Sequence, residues 1–280
     1  NAESGIDTGC SRSNQSGYRK GTAKGSHPPR RYRVILMAGL ELSPTMKNWI
    51  VLFDLDGTLI DSVPDICGSL NRTLAKINRR ALSTEEVSSY LGQGSHLFMT
   101  SALRATGVIE NERVITKLVN EFLTDYARNP VVDTVAFPGV FAALDELENN
   151  GARLAVCTNK PSHLVESVLN QLGLTRYFGT ILCGDEVKNR KPHADHILET
   201  IRLAGGNASS SAVMVGDNVN DFVSAKSAGI PSVAVSFGYA VCAAEDLGAS
   251  VLIDHFGDLV SAVSQIVTSS IQHSHMSQQD

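Results

Sequence analysis

Hydrophobic and polar positions fall into two textures along the chain. From Trp49 to Phe53 the run "WIVLF" is unbroken, and it stops at two aspartates one residue apart, Asp54 and Asp56. A short apolar run bounded by a turn signal is the pattern of a parallel strand covered on both faces. Pro64 then opens a helical stretch in which Ile66, Leu70, Leu74 and Ile77 share one face. "STEEV" follows as a capping box, with Ser83 and Glu86 spaced to satisfy each other's backbone donors. After a break at "LGQG" the spacing predicts further helices over roughly 95–105 and 111–128. Residues 64–129 thus read as a helical segment inserted straight after the first strand.

Beyond about Phe137 the texture alternates. A helix closes at "NNG", and the strand "ARLAVCT", the helix "HLVESVLNQLG" and the short strand "TILCG" follow. The helix "ADHILETIRLAG", the strand "AVMVG", the helix "DFVSAKSAG" and the strand "PSVAVS" complete the series. Strands alternating with helices of this length predict βαβ units. The expected fold is therefore α/β: a doubly wound parallel-sheet (Rossmann-like) core over 47–63 and 130–268, with a small α-helical cap inserted after strand 1. Residues 1–46, Ser/Gly/Arg-rich and aperiodic, read as a disordered or non-native extension with Met46 as the working start; 269–280 read as a polar, frayed tail.

Charge narrows the partners. Residues 1–46 hold seven Lys/Arg against three Asp/Glu, while the remaining body holds 17 basic and 26 acidic groups. An acidic body argues against a nucleic-acid partner, since phosphate backbones require a basic face. A small phosphorylated substrate is compatible, provided cations are focused locally. No stretch approaches the roughly 18 consecutive apolar residues of a membrane span, so no membrane partner is expected. Five scattered cysteines without a CxxC pair (10, 67, 157, 183 and 242) point to a reducing, cytoplasmic setting with neither disulfide frame nor zinc site. Monomer and homodimer are equally compatible.

Open α/β sheets bind ligands beyond the carboxyl ends of their strands. Four polar turns fall there: "DLDGT", "TNK", "RKP" and "GDNVND". A carboxylate beside a core costs several kcal/mol unless paired, and Asp54, Asp217 and Asp221 together would repel unless a cation sat among them. Oxygen-only ligands select Mg²⁺. Thr158, Asn159 and Lys191 supply a hydroxyl, an amide and a point charge suited to phosphoryl oxygens. Acids around a metal with donors opposite make phosphoryl transfer the natural reaction class.

"DLDGTLIDS", "CTNKP", "RKP" and "VGDNVNDFVSAKSAG", in this order, resemble the four motifs of the haloacid dehalogenase-like hydrolase superfamily. "TNKP", "RKPH", the "PGV" after the cap and "SFGYA" are most similar to its phosphoglycolate phosphatase branch, and the resemblance covers about residues 47–262. It implies that Asp54 is the nucleophile forming an aspartyl-phosphate. Asp56 is implied as the group that protonates the leaving oxygen and then deprotonates water, its backbone carbonyl ligating the metal, which requires a proton affinity above that of Asp54. Thr58 is implied to orient Asp56, Thr158 and Asn159 to hold phosphoryl oxygens, and Lys191 to offset charge. Asp217 would ligate Mg²⁺ directly, and Asp221 would act through water or by orienting Lys191.

In relatives a glycine-rich cap loop reads the substrate, which places Gly92, Gln93 and Gly94 at the binding face. The second aspartate, Asp56, separates phosphatases and phosphomutases from the dehalogenases. The expected activity is Mg²⁺-dependent hydrolysis of 2-phosphoglycolate. Another small-molecule phosphatase, a pyrophosphatase, a phosphomutase and a non-catalytic phospholigand-binding protein are the rivals. Cys157 reads as a buried strand residue, His193 and His196 as lacking a third metal ligand, and Lys160 as half structural and half site-rim.

Overall fold

The computed structural model describes residues 46–207, 211–239 and 248–276. The extension expected before Met46 and residues 277–280 of the expected tail lie outside the described residues. The opening apolar run forms β1 (Ile50–Phe53), buried along its whole length. A two-residue strand, β2 (Ile60–Asp61), leads into α1 (Val63–Ala75), α2 (Thr84–Ser88), α3 (Ser95–Thr106) and α4 (Glu112–Arg128). The chain returns through β3 (Val135–Ala136) and α5 (Val140–Asn149). It then alternates through β4 (Arg153–Thr158), α6 (Ser162–Gln171), β5 (Thr180–Cys183), α7 (Ala194–Leu203), β6 (Ala212–Gly216), α8 (Val219–Ser227) and β7 (Ser232–Val235), closing with β8 (Val251–Ile253) and α9 (Leu259–Met276).

Six strands pair in parallel in the order β5-β4-β1-β6-β7-β8. The chain winds outward from β1 through β4 and β5, then crosses to the far side of β1 for β6. That reversal is the topological switch point at which open α/β sheets form a crevice. The register sets what faces the crevice. Phe53 lies opposite Val156 and Val215, so the residues that follow, Asp54, Cys157–Thr158 and Gly216–Asp217, emerge along one edge of the sheet.

Alternation along β1 feeds both faces. Val51 and Phe53 pack with Leu144, Val168 and Val263 from α5, α6 and α9. Ile50 and Leu52 pack with Ile197, Ile201 and Ala225 from α7 and α8. An unbroken apolar strand is the consequence of a sheet covered on both sides. The four cap helices bury a separate cluster around Leu70, Leu103, Leu118 and Phe122. Both halves of the Ser83/Glu86 capping box are formed, and Asn111 caps α4 by accepting from Val114 N.

Two chain crossings join cap and core, and they are tied together. β2 and β3 pair antiparallel. Beside them Asp65, in the first turn of α1, accepts from the backbone N–H of Val132, Asp133 and Thr134 at 2.9, 3.0 and 2.8 Å and from Thr134 Oγ1 at 2.6 Å. Burial opposes ionisation of Asp65, but these donors outweigh it and hold the carboxyl below the usual carboxylate range.

Three features depart from the sequence reading. Met46, assigned to the extension, is fully buried in the core, and its N–H donates to Asn150 O at 2.9 Å. The frayed tail expected from Thr268 is instead helical through Met276. The strands β2, β3 and β8, two or three residues each, are too short to leave a periodic signature.

Candidate active site

Asp54 follows β1 directly and is 7% exposed. Its backbone N–H continues the ladder to Val215 O at 3.0 Å, which fixes the side chain at the crevice floor. Lys191 Nζ lies 3.1 Å from Asp54 Oδ1. The ammonium nevertheless aims its hydrogen bonds elsewhere, to Cys157 O at 2.6 Å and Asp221 Oδ1 at 2.7 Å. Asp54 Oδ1 is therefore buried with an ionic neighbour and no hydrogen-bond donor among the described residues. Burial pushes the Asp54 carboxyl up to about 6, against the pull of Lys191 and with the push of Asp221. Lys191 stays charged despite burial, because Asp221 and Asp54 favour the ammonium.

Asp54, Asp217 and Asp221 each present an oxygen within 4.8 Å of the others. Asp217 accepts from Thr58 Oγ1 at 2.9 Å and from Tyr239 N at 2.7 Å. Burial first, and then the charges of Asp54 and Asp221, raise its carboxyl well above the usual range. Asp54 and Asp217, both pushed toward protonation in this cluster, are what a bound cation would relieve. The oxygen-only donor set and the donor-free Asp54 Oδ1 fit a hard divalent ion such as Mg²⁺. Close approach is built in: Gly57 has φ +86°, and a Cβ there would lie 2.4 Å from Asp217 Oδ2.

Asp56 is held differently from the expected pattern. Thr58 does not orient it, since that hydroxyl donates to Asp217. Asp56 Oδ1 instead accepts from Ser62 Oγ at 2.5 Å and from Lys160 Nζ at 2.8 Å, with Oδ2 at 3.1 Å from the same ammonium. Lys160 is buried and reaches Tyr126 Oη of α4 at 3.0 Å, so it is a site residue rather than a rim residue. Burial alone would discharge the amine, but Asp56 and Tyr126 raise its proton affinity.

Asn159 departs too. Its Nδ2 donates to Gly92 O and Lys191 O, both at 2.9 Å, so the amide hydrogens expected to hold phosphoryl oxygens join the cap loop to the core. Asn220 Nδ2 adds a second bond to Gly92 O at 3.1 Å, and Arg190 Nη2 donates to Gln93 O at 3.1 Å. The Thr158 hydroxyl accepts from Lys160 N at 3.2 Å and lines the cavity between crevice and cap. Asp221 Oδ2 accepts from Asn218 N at 3.0 Å while Oδ1 holds Lys191, which makes it the orienting group of that lysine.

A cavity of about 80 Å³ lies between crevice and cap. Asp54, Asp56, Thr158, Asn159 and Lys160 form its floor, and Gly92, Gly94, Phe98, Phe122 and Tyr126 are among its cap-side walls. Gln93 does not line it; that side chain is exposed. Outside the cavity, His196 bridges Lys191 N and Leu182 O, and burial followed by the Lys191 charge pushes its imidazole down to about 4. Burial pushes the Cys157 thiol up to about 12, which leaves it inert. Tyr126 is what the sequence reading misses, and Lys160 is what it places only half at the site rim. Their signals were a lysine directly after a strand-end Thr-Asn, and a phenol on the buried face of an amphipathic helix.

Three acids gathered at a strand end, a lysine against them, and a helical lid define a hydrolase of phosphoryl type. Residues 51–235 match the haloacid dehalogenase-like hydrolases, and the chain belongs to that family. A phosphoglycolate phosphatase of Agrobacterium fabrum is 40% identical over 229 residues, covering 81% of this chain and 95% of its own. One from Caulobacter vibrioides is 36% identical and covers 78% of this chain and 92% of its own. Among solved structures, a predicted phosphoglycolate phosphatase from Haemophilus somnus superposes with a TM-score of 0.73 at 27% identity, covering 78% of this chain and 99% of that one. Within the family, the chain falls in the phosphoglycolate phosphatase-like branch.

Proposed function

We propose that this protein hydrolyses 2-phosphoglycolate to glycolate and phosphate, with Mg²⁺ held by Asp54, Asp217 and the Asp56 carbonyl, and through an aspartyl-phosphate on Asp54. The observation that carries the reading is the buried Asp54 oxygen, which has no hydrogen-bond donor among the described residues and sits 3.1 Å from Lys191 in a cluster of three acids. A carboxylate so placed is a nucleophile poised in a dry site. Mg²⁺, when bound, neutralises charge on the acids and the phosphoryl oxygens.

The chain's own groups do the rest. The Asp54 carboxylate attacks phosphorus and the ester P–O bond breaks. Asp56, fixed by Ser62 and Lys160, gives its proton to the departing oxygen. It then takes a proton from water as that water attacks the aspartyl-phosphate, releasing phosphate and restoring Asp54. Thr158 and Lys191 hold the transferring oxygens, and the cap loop clasped by Asn159, Asn220 and Arg190 excludes bulk water. The small cavity and the likeness to phosphoglycolate phosphatases support 2-phosphoglycolate over larger esters.

Phosphate release from a panel decides it. 2-Phosphoglycolate is expected to exceed pyrophosphate, glucose phosphates and nucleoside monophosphates in kcat/KM, and EDTA to abolish turnover of all of them. A sugar phosphate or pyrophosphate leading the panel would refute the substrate, and full activity in EDTA would refute the metal.

A further inference from the structure

We infer that Lys160 and Tyr126 together form a subsite for a carboxylate carried on the leaving group, the core supplying the ammonium and the cap the phenol. This deepens the phosphatase reading and rests on it.

Among the described residues lining the cavity, Lys160 is the one cationic side chain. It faces a floor bearing Asp54 and Asp56, which would repel any second anion on a substrate. Its ammonium lies 2.8 Å from Asp56 Oδ1, and Asp56 must touch the ester oxygen to protonate it. In an α-phosphorylated acid the carboxylate carbon sits two bonds from that oxygen, within about 3 Å by ordinary bond lengths, and its oxygens one bond further. A carboxylate there falls within reach of Lys160 Nζ. Asp56 keeps an independent anchor in Ser62 Oγ at 2.5 Å, so the ammonium can turn part of its hydrogen bonding to substrate without releasing the acid.

Tyr126 completes the pair. Its oxygen accepts from Lys160 at 3.0 Å, and the ammonium also lies 4.7 Å from its ring centroid. The phenolic hydrogen has no acceptor among the described residues and is free to donate. Phe122 stacks on the Tyr126 ring at 6.1 Å between centroids and fixes its direction. Because α4 belongs to the cap and Lys160 to the core, one carboxylate can meet both donors only with the cap seated. Selection of the substrate and closure over it then become the same event. Apolar walls strengthen both contacts by keeping the site dry.

The test compares kcat/KM with Mg²⁺ for 2-phosphoglycolate, its neutral carboxamide and ethyl phosphate, in wild type, Lys160→Met and Tyr126→Phe. Wild type is expected to prefer the carboxylate over the carboxamide by at least about tenfold, the scale of a charged hydrogen bond. Lys160→Met is expected to bring the two within about threefold of each other by removing that bond. Tyr126→Phe should narrow the preference less. Parallel losses on all three esters in Lys160→Met overturn the subsite, because Lys160 would then serve Asp56 alone. If that variant does not fold, the wild-type pair decides: equal kcat/KM for carboxylate and carboxamide overturns the inference. A wild type that rejects 2-phosphoglycolate while hydrolysing other esters overturns the substrate reading as well, an outcome distinct from the first two.

Discussion

Asp54 shows how chemistry and stability conflict at a single position. Its carboxyl is pushed up to about 6, so the ion-free fold favours its protonated form, and stability falls as pH rises from the ordinary 3.8 through 6. Asp54→Asn removes both the nucleophile and that penalty. Turnover is expected to fall to background, while the melting temperature in EDTA at pH 7.5 rises above wild type. A variant that kept a tenth of the activity would show that another group attacks phosphorus. At this scale the sequence was a good guide to residue types and a poor one to their partners. Asp54, Asp217, Asp221 and Lys191 were legible because strand-end acids have no other use for one another. Thr58 and Asn159 take partners that the sequence does not predict. Whether a hydroxyl turns to an acid two residues away or to one 159 residues away depends on the sheet's register, which local spacing does not encode.

Elements carry the cap's behaviour. The strands and helices that bury a face were readable from periodicity, as with β6, whose limits the run "AVMVG" marks. The β2–β3 ribbon and the Asp65 clamp were not, because their cause is a tertiary pairing of two linkers. The cap loop is the element whose geometry most constrains function. Gly94 takes φ 85° and ψ 159°, a region essentially closed to side chains. A Cβ there would lie 2.6 Å from the Arg190 guanidinium. Gly94→Ala should therefore cost about 1–3 kcal/mol of backbone strain, felt where the loop docks on Arg190 and Asn159. The expected outcome is a rise in KM of about tenfold, each 1.4 kcal/mol being a factor of ten, with a melting temperature lower by a few degrees. An unchanged KM would show that docking of this loop does not govern substrate binding.

At the scale of the whole molecule, acid stability reports on how the "RKP" loop is anchored. His196 has an ordinary value of 6.5 and is pushed down to about 4. Its contribution is fully present above 6.5, declines as pH falls, and is lost by about 4. The span is worth about 3 kcal/mol at 1.36 kcal/mol per unit. Asp54 acts with the opposite sign in part of the same window when no metal is bound, so the informative quantity is a difference. Subtracting the unfolding free energy of His196→Gln from that of wild type should leave a slope confined to pH 4–6.5. A flat difference would mean that the imidazole is not held neutral by the fold.

The position of β1 between β4 and β6 has a further consequence, for the order in which the chain is made. Ile50 leaves the ribosome well before its sheet neighbours Arg153 and Ala212 are made. The cap residues lie together in one contiguous stretch between them. During translation the cap can collapse around its own apolar cluster while β1, a bare run of large hydrophobic residues, waits unpaired. Non-local parallel pairing of this kind is slow and exposed to aggregation. The centre of the finished sheet is thus a vulnerable segment of the nascent chain, and chaperone dependence is expected in the interval before β6 appears.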